Sequence, residues 1–102
     1  MITAFLAGFF VFNAIPHLVQ GISGKTHMTP FKRVSSPSLN VVWAFVNLFF
    51  GVLLLGFDPI TGEVNHPAGA NFWAFFIGGL IVSLVAAQLF GKPNARLPWH
   101  KD

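Results

Sequence analysis

Seven side chains in this 102-residue sequence could do chemistry inside apolar surroundings: Asn13, His17, Gln20, Asn40, Asn47, Ser83 and Gln88. An imidazole set among carboxamides can hold a polar ligand, relay a proton, line a permeation path or ligate a ring-bound metal. Their spacing is ordered. At about 100° per residue, Asn13, His17 and Gln20 fall within about 60° of arc on one helix. Asn40, Ala44, Asn47 and Gly51 do the same on the next. Two helices joined by a short loop run antiparallel, which sets Asn13 and His17 at depths between Asn40 and Asn47. A third helix returning to the same side brings Ser83 near the level of Asn13 and Gln88 near that of His17. The expectation is a polar cluster in one half of a helical bundle, with these seven residues as candidate ligand-binding groups.

Two readings of that cluster stay open. Membrane helices use Asn, Gln and Ser as interhelical glue, at about 0.6 kcal/mol per bond and about 1.7 at most. An ionisable residue within a span is, on the other hand, a functional candidate by default. Pro16 adds to the second reading, because its missing N–H frees the Phe12 carbonyl of its usual helical partner beside Asn13 and His17.

Several chemistries are set aside. The sequence has no cysteine, so disulfides, thiolate metal sites and cysteine nucleophiles are absent. No carboxylate stands in an apolar stretch, and no second histidine follows His17 at helical spacing; His27, His66 and His100 lie in loops or the tail. Haem held by two span histidines would need a second chain. Asp58, Glu63 and His66 share a loop whose residues read as turn formers and solvated charges rather than metal ligands. No Ser-His-Asp set, phosphate-cradling glycine loop or acid pair can be assembled. The expectation is a non-catalytic protein with no metal and no cofactor.

The elements that must position the cluster are three long apolar runs, about Ile2 to Ile22, Leu39 to Phe57 and Ala70 to Gly91. Each matches the roughly 20 residues a helix needs to cross about 30 Å of hydrocarbon. All nine Asp, Glu, Lys and Arg residues lie outside them. Charged residues are 9% of the chain and mean hydropathy is +0.67, whereas soluble domains carry about 25% charged residues. The middle run has thirteen Leu, Val or Phe residues. They are worth about −4 to −8 kcal/mol of insertion free energy, enough to carry one or two buried amides. The first run lacks a basic n-region, is too long for a signal h-region and contains Asn13, Pro16 and His17, so it reads as a span and not as a cleaved signal.

Charge sets the orientation. Lys25, Lys32 and Arg33 occupy the first loop, and Lys92, Arg96 and Lys101 the tail, while the second loop holds Asp58 and Glu63 without Lys or Arg. A six-to-zero split in short segments predicts the N-terminus outside and the C-terminus in the cytoplasm. The basic residues sit beside membrane anchors, which argues for anionic headgroups and against nucleic acid as a partner. At the boundaries, Ser36 caps the second helix with Pro37 in its first turn. Gly56 ends that helix, Asp58-Pro59 and Thr61-Gly62 turn, and Asn71 opens the third helix. Gly79, Ser83, Ala87 and Gly91 recur every four residues, Ala74 with Gly78 adds another such pair and Ala4 with Gly8 a shorter version on the first helix, spacings that let backbones approach within the chain or between chains.

The reading is a single all-α membrane domain over residues 1–102, with helices at about 2–22, 37–56 and 71–91. Its expected setting is a bilayer, specifically a bacterial inner (cytoplasmic) membrane, as a homo-oligomer or a subunit of a larger membrane complex. The leading expectation is a small non-catalytic protein with a polar seam between its first two helices. One alternative is a small transporter or channel built on the Asn/His/Gln cluster. Another is a quinone-, pigment- or haem-binding subunit using His17.

Overall fold

The structure, a computed structural model, describes residues 1–92 and 95–100. It consists of three helices, α1 (Ile2–Ile22), α2 (Pro37–Leu55) and α3 (Ala70–Phe90), with no strand among the described residues beyond two isolated bridges. All three helices are long and apolar enough to cross a membrane. The longest dimension is 41 Å, close to a bilayer with its headgroups at about 40–45 Å.

Local chemistry sets the ends. The Ser36 hydroxyl accepts a 3.1 Å bond from the Leu39 N–H, and Pro37 occupies the first helical position, where a missing donor costs nothing. Gly56 closes α2 at φ +88°, donating its N–H to the Val52 carbonyl at 2.9 Å. α3 starts at Ala70, one residue before Asn71, because Gly69 takes up the turn at φ +60°. α1 runs through Pro16 as one helix from Ile2 to Ile22.

The central helix in space is the first in sequence. α1 packs on both α2 and α3, and the latter two do not pack on each other. Glycines permit both contacts. A Cβ at Gly8 would land on the Phe75 carbonyl, and one at Gly78 on the Phe5 carbonyl, so α1 and α3 meet backbone to backbone. Gly21 does the same for α1 and α2 against the Pro37 carbonyl, while Gly51 leaves room for the Val11 side chain. Close approach through small residues is how helices associate in lipid, where apolar side chains gain little by leaving the solvent.

The interior is polar and the exterior apolar. The largest wholly buried side chains are Asn40, Asn47, Thr29 and Ser35, while Phe45, Phe49, Leu53, Leu80 and Leu84 face outward. A water-soluble fold arranges these the other way round. In hydrocarbon the arrangement is the stable one, since polar groups must be satisfied inside the protein.

Candidate functional site

The seam between α1 and α2 brings four of the seven candidate residues together. Asn13 donates through Nδ2 to Asn47 Oδ1 at 3.0 Å, and Asn47 Nδ2 donates to the Trp43 carbonyl at 2.8 Å. One turn nearer the basic end, His17 Nδ1 lies 2.8 Å from Asn40 Oδ1. Asn40 Nδ2 faces the carbonyls of His27, Ser35 and Ser36 at 3.0, 3.2 and 3.0 Å. Carbonyls only accept, so the Asn40 amide has one possible orientation and its Oδ1 must accept from His17. His17 therefore carries its proton on Nδ1, and the neutral ring keeps a lone pair on Nε2.

Above this seam the first loop and the tail form a cap. His27 and Ser35 exchange two backbone bonds of 3.2 Å, and the Thr29 and Ser35 hydroxyls meet at 2.7 Å. The Thr29 hydroxyl also accepts from the N–H groups of Phe31 and Lys32. The tail then closes over the loop. Trp99 Nε1 donates to the Pro30 carbonyl at 2.6 Å, His100 Nε2 donates to the Thr29 carbonyl at 2.6 Å, and Arg33 Nε donates to the Ala95 carbonyl at 2.9 Å. His100 Nδ1 accepts from the Leu97 N–H, which fixes its tautomer as the reverse of His17.

Beneath the cap lies a chamber of about 280 Å³, walled by Asn13, His17, Trp43, Asn47, Phe90 and Trp99 among others. Trp43 Nε1 is buried and has no hydrogen-bond partner among the described residues. Its walls thus combine aromatic rings with the imidazole of His17 and the carboxamides of Asn13 and Asn47, the makings of a small-molecule site.

The other candidates lie apart from the seam. Ser83 turns its hydroxyl back to the Gly79 carbonyl at 2.7 Å and lines a lateral groove between α1 and α3, whose opposite wall includes Asn13. Gln88 is exposed on α3 and joins none of these sites. Gln20 lines a separate crevice at the basic end with Thr26, His27, Arg33 and Lys92.

Sequence reasoning missed His27, Trp43, Thr29 and His100. His27 stands 5.1 Å from the His17 ring and 4.3 Å from Phe90, centroid to centroid, and its Nε2 is buried without a partner. Burial pushes His27 below the ordinary histidine value, and neighbouring His17 adds to the effect. The Ser/Thr content of the first loop was the available signal for its internal hydrogen bonding. Nothing in the sequence ties His100 to Thr29. Among the described residues no group of three or more metal-ligating side chains forms.

The chain matches no family model, no curated protein and no solved structure. What the helices define is a small membrane protein with three apolar spans.

Proposed function

We propose that this chain is a small, non-catalytic integral membrane protein that works by assembly, with further copies of itself or within a larger membrane complex. The observation that carries this reading is how the α1–α2 seam uses its polar groups. Asn13, His17, Asn40 and Asn47 bind one another and nearby carbonyls, as a helix lock does. Association then falls to α3, which packs on α1 alone and leaves Gln88 uncovered within its apolar length. The proposed setting is a bacterial cytoplasmic membrane, N-terminus outside, with the basic loop and tail in the cytoplasm, on the strength of the charge split.

Native mass spectrometry of the mildly solubilised protein tests the assembly. Closed homo-oligomers, or chains carried with other polypeptides, support it. Lone monomers over a range of concentrations and detergents would overturn it.

A second reading has one specific observation in its favour, a hollow whose walls combine aromatic rings with His17, Asn13 and Asn47. A ring-sized molecule bearing a carbonyl or hydroxyl, such as a quinone headgroup, suits walls of that kind. Organic extraction of purified protein followed by absorption spectroscopy would detect it, and a colourless, ligand-free extract would remove it. A permeation path has less support, since the seam amides are engaged and Gln88 stands apart.

A further inference from the structure

Two neighbouring hollows, one between α1 and α3 and one between the first loop and the end of α3, differ in chemistry and share a wall. At the basic end, a crevice of about 310 Å³ is lined by Gln20, Thr26, His27, Arg33 and Lys92. Lys92 brings a cationic side chain, Thr26 a hydroxyl and Gln20 a carboxamide, beside Arg33, whose Nε is held by the Ala95 carbonyl, a set suited to a phosphate group. Along the spans from it runs a lateral groove of about 410 Å³, with Phe12, Pro16, Ser83 and Ala87 among its walls. Phe90 belongs to both. The faces are continuous as well: Gln20 follows Pro16 by four residues on α1, and Phe90 follows Ala86 by four on α3, so each pair lies on one helical face.

The groove is apolar apart from Asn13 and Ser83, and the Ser83 hydroxyl is turned back to its own helix. It opens sideways at the depth of the hydrocarbon. The crevice opens where headgroups lie. The two acidic residues described, Asp58 and Glu63, are both in the second loop at the opposite end of the spans.

We infer that this crease is a binding site for one anionic phospholipid, its phosphate in the Lys92 crevice and one acyl chain in the groove beside Ala87. Basic pockets between spans at the cytoplasmic rim hold anionic headgroups in this manner. An acyl chain already in a bilayer gains nothing by leaving water; it needs only to be admitted, and the small Ser83 and Ala87 side chains admit it. Selectivity therefore resides in the headgroup contacts and depends on negative charge. A free phosphate would use the crevice and leave the groove irrelevant, which separates the two sources of the same chemistry.

The inference requires the chain to lie in a bilayer and is independent of its assembly, because lipids are counted per chain. The experiment is native mass spectrometry of the detergent-solubilised protein titrated with phosphatidylglycerol, phosphatidylcholine or inorganic phosphate. Wild type should retain one phosphatidylglycerol per chain in preference to phosphatidylcholine. Lys92→Gln should reduce that preference about fivefold, the effect of one basic residue near a charged headgroup. Ala87→Phe, on an exposed face, should fill the groove and lose retention of both lipids, with circular dichroism confirming that the helices persist. Millimolar phosphate should leave the bound lipid in place. Equal retention of the two phospholipids would overturn the inference. So would an unaltered preference in Lys92→Gln, full retention in Ala87→Phe, or displacement of the lipid by phosphate.

Discussion

His17 donates a 2.8 Å hydrogen bond to Asn40 across the α1–α2 interface, and the direction of that bond is dictated by the three carbonyls that hold the other end of the Asn40 amide. One carboxamide thereby joins α1, the first turn of α2 and both ends of the first loop. Its removal should cost more than removal of its partner.

Asn40→Ala leaves the His17 N–H without its partner, at about 1–3 kcal/mol for a buried unpaired group, and takes a second donor from the His27, Ser35 and Ser36 carbonyls, each of which keeps a backbone bond. His17→Ala should cost less. A double-mutant cycle on the pair should show a coupling of about 0.6–1.7 kcal/mol, the range for interhelical bonds in membranes. Reversible unfolding in mixed micelles measures both, and strictly additive effects would contradict the bond.

The α1–α3 contact depends on two glycines. Gly78→Leu puts a side chain where the Phe5 carbonyl sits, so the helices must separate. Spin labels on α1 and α3 should move apart, while a pair on α1 and α2 should keep its distance, because α2 and α3 do not pack together. Unchanged α1–α3 distances would refute this account of the crossing.

Acidification should weaken the cap. His27 is held below its ordinary value of 6.5, first by burial and then by the neighbouring His17. Its neutral form therefore belongs to the folded state. The contribution is complete above 6.5 and is lost as pH falls from there through the lowered value. Thermal unfolding followed from about pH 7.5 to about pH 5 should show stability declining, and His27→Phe, which stays neutral throughout, should flatten that decline. Parallel profiles for the two proteins would exclude His27 as the source.

Trp99 ties the tail to the first loop. Trp99→Phe keeps the ring but removes the N–H that donates to the Pro30 carbonyl, a loss of about 1 kcal/mol from the closed state. Amide hydrogen exchange in residues 27–35 should quicken roughly fivefold, with the centre of α1 unaffected. No change in the loop would mean that the tail does not hold it.

Orientation has a direct check. A reporter fused at the C-terminus should be active in its cytoplasmic form, given the basic loop and tail, and activity on the far side of the membrane would reverse the assignment.

The α1–α2 relationship was legible because polar residues recur with helical period on an otherwise apolar background. Asn13 and His17 on one helix, and Asn40 and Asn47 on the other, could be placed face to face before any coordinates. Ser36 and Gly56 were legible for the same kind of reason, since each residue type has a defined stereochemical use. α3 was less so. It is apolar all round, so its sequence does not say which face meets α1. The ridge through Gly79, Ser83 and Ala87 offered one answer and the pair Ala74 and Gly78 another; the backbone contact falls on Gly78, with Gly79 against Phe12. Ser83 and Gln88 consequently lie away from the seam. The links from Trp99 to Pro30 and from His100 to Thr29 join residues about seventy positions apart, and no periodicity encodes them.

Because α3 touches only α1, the first hairpin can complete its hydrogen bonds while the last third of the chain is still on the ribosome. The Asn and His side chains are then already paired when the third span enters the bilayer. The latch residues Trp99 and His100 are translated after all three spans. The order of manufacture and the order of assembly coincide.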